Sequence, residues 1–274
     1  MKRKQLKNLA PFSSPTGLHR RLGSYCRLLL FLILNLSTAF GNNEAQYREA
    51  VKLQQETRWS EALPIFKNLL KSDSSNVEYL WRTAYLYAQL GAKQPTETQR
   101  QQWYSTSAYL GEKATRTAPK NAWAHYAYAL ALGRMNEQAS SRTKIEYAKL
   151  IKSEAELALK YDAGLAGAHH ILGRWHRVVA GFNMLERAMI KAVFGGMPGG
   201  SYEEALKHFE KAIALEPKSG IHYYEIANTL LERDESGDEG RAIKWLEKSL
   251  TLPVKTEQDK DHRARCRELL EKTR

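Results

Sequence analysis

Gly167-Ala-His169-His170-Ile-Leu172-Gly173-Arg174-Trp175-His176 opens the most informative part of the chain. An amphipathic run to Phe194 follows, then Gly195-Gly-Met-Pro198-Gly-Gly200, then Ser201-Tyr-Glu-Glu204-Ala205-Leu-Lys-His208-Phe209-Glu-Lys-Ala212-Ile-Ala-Leu-Glu-Pro217. Ala205, Phe209 and Ala212 share one face of a helix. The small residues let a neighbouring helix approach, the aromatic ring fills the gap between them, and Pro217 ends the run. Ser201 with Glu204 three residues on predicts a capping box at its start. Leu172-Gly173 marks the partner helix. That helix is expected to run on through Val178, Phe182, Leu185, Met189 and Val193, with the glycine-rich stretch as a hinge.

The same grammar recurs on both sides. Trp59-Ser-Glu-Ala62-Leu-Pro-Ile-Phe66-Lys-Asn-Leu69 repeats the small–aromatic–apolar spacing, and Tyr79 to Tyr87, Asn121 to Leu130, Ser140 to Tyr161 and Ile221 to Leu230 read as further helices. No stretch after Asn42 alternates with a period of two, as a half-buried strand would. Helix-ending marks near Ser74, Pro119, Ala163, Pro217 and Pro253 are spaced wider than the ~34 residues of a regular tetratricopeptide array. The expected fold is therefore all-α: tetratricopeptide-like helical hairpins, with insertions, stacked into a right-handed superhelical array. A polar helix over 256–272 would close the exposed end.

Composition narrows function mainly by exclusion. Seven of the 42 basic residues and none of the 30 acidic ones lie in residues 1–41, so the net charge of +12 falls to +5 for the rest. That weak excess is no nucleic-acid footprint. The basic leader, the apolar run Leu28 to Leu36 and the small residues Ser37, Ala39 and Gly41 read as a signal peptide over 1–41, which implies a secreted or periplasmic protein. The alternative is an uncleaved membrane anchor, the only route by which this reading reaches a membrane. After the leader only Cys266 remains, so no internal disulfide can form, and its charged surroundings suggest a surface thiol.

His169-His-Ile-Leu-Gly-Arg-Trp175, Leu185-Glu-Arg187, Tyr202-Glu-Glu-Ala205-Leu, Trp245-Leu, Leu252-Pro-Val and Thr256-Glu-Gln-Asp-Lys260-Asp together resemble the regulator of microtubule dynamics family. The resemblance runs from about Trp59 to Leu270. It implies a tetratricopeptide-like fold and protein binding, with microtubule association or, for some members, organelle contact. It supplies no catalytic motif.

The residues themselves point to a groove. The first helix of each pair should line the concave side, presenting Trp81, Tyr85, Tyr126, His170, Arg174, Arg177, Tyr224 and Asn228. Aromatic and arginine side chains dominate recognition hot spots, and a pair of guanidinium groups suits a carboxylate. The expected function is a non-catalytic scaffold that takes a protein or peptide with acidic or carboxylate groups and needs no cofactor or metal. Two alternatives are an adaptor of the microtubule or organelle-contact type, anchored by the N-terminal segment, and a metal-dependent hydrolase using the His169–His176 region. The histidines lack the i+3 or i+4 companions that a metal site on a helix needs. Gly195 to Gly200 lacks both the preceding strand and the Lys-Ser/Thr pair of a phosphate loop.

Overall fold

Fourteen helical residues at 42–55 form α1. They are followed by α2 (Trp59–Ser72), α3 (Val77–Gly91), α4 (Glu97–Thr117), α5 (Ala122–Asn136), α6 (Ser141–Tyr161), α7 (Ala166–Ala180), α8 (Met184–Phe194), α9 (Tyr202–Leu215), α10 (Gly220–Arg233), α11 (Asp238–Leu250) and α12 (Glu257–Thr273). The computed structural model describes residues 42–274 apart from 138 and 197, and among them there is no strand. The signal-peptide reading of 1–41 lies outside the described residues. All contacts below lie within residues 49–274.

Successive helices pack as antiparallel neighbours, α2 on α3 through α6 on α7, then α7 on α9 and onward to α12. A second set of contacts joins α3 to α5, α5 to α7, α7 to α10 and α10 to α12. These five helices therefore form one row, and α2, α4, α6, α9 and α11 form the other. This is the two-row layout of a helical solenoid. The small–aromatic spacing builds the contact between the rows. Ala62 and Phe66 are fully buried, as are Ala205, Phe209 and Ala212. Gly173 shows why glycine is needed at its position: a Cβ there would sit 2.7 Å from the Phe209 ring.

Start and stop signals in the sequence match the helix ends. Asn76 accepts hydrogen bonds from the Glu78 and Tyr79 N–H groups, and Thr96 with Gln99 and Thr256 with Asp259 form capping boxes. At α9 only half of the expected box forms. Ser201 accepts from the Glu204 N–H, while the Glu204 carboxylate pairs with Lys207 instead.

Two expectations are corrected. The extended helix to Phe194 is two helices. The α7 helix ends at Ala180 with Gly181 as its C-cap, and Asn183 starts α8 in a reciprocal capping box with Glu186. Asn183 and Glu186 together satisfy orphan N–H donors that a continuous helix would not have, so the break is favoured locally. Cys266 is not a surface thiol. It is fully buried in the C-terminal core with Ile226, Leu230, Leu246 and Leu270, its Sγ lies 3.2 Å from Ser249 Oγ, and burial raises its pKa. The charged residues of α12 lie on the other faces of that helix.

Candidate functional site

The inner row lines a half-open cavity of about 890 Å³. Its floor is built by the helical repeat itself. On α5, Tyr126, Leu130 and Arg134 follow one another at i+4, and on α7 His170 and Arg174 do the same, so each helix contributes one stripe. On α3 the stripe is Tyr85 and Gln89; α10 adds His222 and Glu225, and α12 adds His262 and Arg265. Gly167 lets α5 and α7 close on one another, since a Cβ there would meet the Tyr126 ring at 2.6 Å.

One wall is aromatic. The Trp59 and Tyr85 rings meet edge to face at 6.3 Å, Tyr85 and Tyr126 lie 6.2 Å apart, and Trp123 meets Tyr126 edge to face at 5.8 Å. Enclosure is strong enough to move acid–base equilibria. Burial pushes the Tyr85 phenol up to about 12 and the Tyr126 phenol well above its ordinary value. Burial, then the adjacent His222, holds the His170 pKa well below the usual imidazole range. Burial with Arg265 lowers His262 to about 4. Both imidazoles are thus neutral at pH 7.

The opposite wall is ionic. Arg177, almost fully buried, forms an ion pair with Glu225 at 2.8 Å and lies 3.6 Å from Glu232. Arg174 approaches the same Glu225 at 3.7 Å and keeps 44% of its side chain exposed. Among the described residues Arg134 approaches one carboxylate, Glu137 at 3.9 Å, and its buried Nε has no hydrogen-bond acceptor. Arg134 and Arg174 therefore both retain unused guanidinium donors at the cavity surface. His170, His222 and Glu216 form a chain below them: the two Nδ1 atoms are 3.1 Å apart, and His222 Nε2 is 3.2 Å from Glu216 Oε2.

Of the eight residues expected in the groove, the structure brings Tyr85, Tyr126, His170 and Arg174 to the cavity. Trp81 is core, 3% exposed, with its ring stacked at 4.9 Å on Trp123, which takes the lining position instead. Arg177 is held in the Glu225 ion pair. Tyr224 packs on the C-terminal core and Asn228 donates to Glu232. The last two corrections share a cause. His222 and Glu225 meet His170 and Arg177 across the α7–α10 contact, and this sets the rotation of α10, turning Tyr224 and Asn228 aside. Arg134 was absent from the sequence-based set, although it lies two helical steps of four from Tyr126.

The histidines proposed for hydrolysis divide between two places. His170 joins the cavity. His169 faces His208 with Nδ1 atoms 3.0 Å apart, and His176 stacks on His208 at 5.6 Å between ring centres. Among the described residues no group of three or more His, Cys, Asp or Glu side chains is arranged to hold a metal ion.

Residues 45–274 match the family described as regulator of microtubule dynamics protein 1-3. The chain belongs to this family. The regulator of microtubule dynamics protein 2 of Homo sapiens is 26% identical over 207 residues, covering 75% of this chain and 50% of that protein. Protein 1 of Bos taurus is 29% identical over 203 residues, covering 72% of this chain and 62% of that one. The chain thus spans about half the length of the human family member, and under two thirds of the bovine one. Among solved structures, a thermophilic TPR protein of Thermus thermophilus superposes with a TM-score of 0.57 at 20% identity. The match covers 84% of this chain and 99% of that one, which establishes the family domain here as a tetratricopeptide-like solenoid.

Proposed function

We propose that the chain is a non-catalytic binding scaffold whose concave cavity takes an extended peptide bearing a carboxylate. The reading is carried by the unused donors of Arg134 and Arg174 beside the aromatic wall of Tyr85, Trp123 and Tyr126. A carboxylate accepts two parallel N–H bonds from a guanidinium, and aromatic side chains supply contact area at little entropic cost. The wall residues are themselves held by packing, so the site needs little ordering on binding. Membership of the family supports a scaffold role over an enzymatic one.

The test is a fluorescence anisotropy titration with pentapeptides carrying acidic or neutral side chains and free or amidated C termini. Acidic or free-carboxyl peptides should bind, and Arg174→Glu with Arg134→Glu should abolish binding while the circular dichroism spectrum is unchanged. Equal binding of neutral amidated peptides would reject the carboxylate reading. Arg177 is unsuitable for this test because reversing its charge leaves Glu225 buried without its partner. A second reading, an adaptor acting at microtubules, is favoured by the family match, and co-sedimentation with polymerised tubulin checks it. Export through the leader is a separate part of the proposal.

A further inference from the structure

The α8 helix belongs to neither row of the solenoid and buries none of its residues. Its orientation is the reverse of a normal surface helix. At about 100° per residue, Met184, Leu185, Ala188, Met189, Ala192 and Val193 cover one half of its circumference. That half points to solvent: Met184 is 88% exposed, Leu185 71%, Met189 59% and Val193 68%. Ile190 and Phe194, turned the other way, are the half-buried positions. A soluble monomer rarely displays a continuous apolar face of this kind.

Two side chains tie the helix to its neighbours. Arg187 donates to the Val179, Ala180 and Phe182 carbonyls at the end of α7, and Lys149 donates to the Phe194 carbonyl. Those bonds satisfy hydrogen-bonding capacity but leave the charges of both side chains unneutralised, and Lys191 adds a third. The one acid of the helix, Glu186, is engaged in capping Asn183. At about 100° per residue Lys191 and Arg187 lie on the Met184 side of the apolar half and Glu186 on its Val193 side, so with Lys149 the cations around α8 outnumber its one acid three to one.

We infer that α8 is a surface-docking helix that lays its apolar half into the interface of an anionic lipid bilayer. An apolar face with an excess of cations beside it suits such binding, through insertion of apolar side chains and attraction to acidic headgroups. No described helix is long and apolar enough to cross a membrane, so α8 lies on the bilayer. A second copy of the chain fits less well. Eleven residues make a helix about 16 Å long and about 10 Å wide, too little for the roughly 800 Å² per partner of a stable interface. A two-fold pairing of this face would also set Lys149, Arg187 and Lys191 against their own copies.

The experiment uses the full chain with Cys26→Ser and Val193→Cys, labelled with a polarity-sensitive fluorophore; Cys266 is buried and stays unlabelled. Mixed with phosphatidylcholine vesicles containing phosphatidylglycerol, the label should shift to the blue and be quenched by a lipid-borne quencher. A label at Tyr109→Cys, 64% exposed on α4, should not. Leu185→Asp should lower the partition coefficient at least tenfold, and pure phosphatidylcholine should give a similarly weak signal. A label at position 193 that remains aqueous while the protein sediments with the vesicles would overturn the inference, because another segment would then carry binding. A blue shift that grows with protein concentration and needs no lipid would overturn it in favour of a second copy.

Discussion

Truncating Phe209 to alanine tests how the solenoid is held together. The ring is fully buried, lies against Gly173 of the facing helix and meets the His170 ring edge to face at 5.8 Å. On the side of the facing helix nothing can follow the ring inward, because Gly173 has no side chain to extend. The site collapses poorly, and the cost should fall at about 3–5 kcal/mol, the range for a phenylalanine truncated in a packed core. For a chain of this size that lowers Tm by about 6–20 °C, at about 2–4 °C per kcal/mol. The complementary change, Gly173→Ala, pushes a methyl group into the ring at 2.7 Å and should cost about 1–3 kcal/mol by overpacking. Combined with Phe209→Leu, it should cost less than the sum of the two single changes, since the smaller side chain frees the space that the methyl group needs. Urea denaturation followed by circular dichroism compares the four variants with wild type, and hydrogen exchange localises the loss to α7, α9 and α10. An effect of Phe209→Ala under about 1 kcal/mol, or strict additivity in the double variant, would refute the packing argument.

Other expectations can be checked alongside. His169, His176 and His208 all have pKa values lowered by burial, His208 to about 4. The unfolded chain, with imidazoles near 6.5, therefore takes up protons first. Stability should be complete above about pH 6.5 and fall as the pH drops toward 4, by about 2–3 kcal/mol for His208. His208→Gln should flatten the urea midpoint over that window relative to wild type. Asp238, 2% exposed, accepts from Arg233 Nε and Nη2 at 2.8 and 2.7 Å, so Asp238→Ala should cost about 1.5–3 kcal/mol by removing these charged hydrogen bonds, with Glu235 at 3.3 Å and Glu203 at 3.6 Å still beside Arg233. Asn183→Ala should cost α8 about 1 kcal/mol through loss of its cap, read as faster amide exchange confined to 184–190. N-terminal sequencing of protein from the extracellular or periplasmic fraction should begin near residue 40 or 42, whereas an intact Met1 would reject a cleaved leader.

Local rules carried most of the fold. Ala62–Phe66 and Ala205–Phe209–Ala212 could be placed because repeat packing is written in helical spacing, and Ser201 announced the start of α9 through its side-chain chemistry. The end of α7 was legible in principle, since Asn183-x-x-Glu186 is a capping signature, but the uninterrupted apolar spacing of Val178, Phe182 and Leu185 competed with it. The cavity was half legible. Tyr85, Tyr126, His170 and Arg174 follow from the stripe of one helix at a time. Arg134 follows from the same stripe on α5, whereas Glu216 and Glu225 required knowing how far α10 turns against α7 and where the α9–α10 loop lands. Trp81 and Trp123 show the limit plainly: both are aromatic, both face the same region, and only their stacking order decides which is buried.

The most direct test of the proposed scaffold role is isothermal titration of the chain with an acidic, free-carboxyl pentapeptide that binds in the anisotropy assay, beside its amidated neutral counterpart. The account predicts saturable 1:1 binding of the acidic peptide, lost in Arg134→Glu with Arg174→Glu and weakened in Tyr126→Ala. Binding that survives those substitutions in a protein whose helical content is intact would contradict it, and would place the ligand outside the concave cavity.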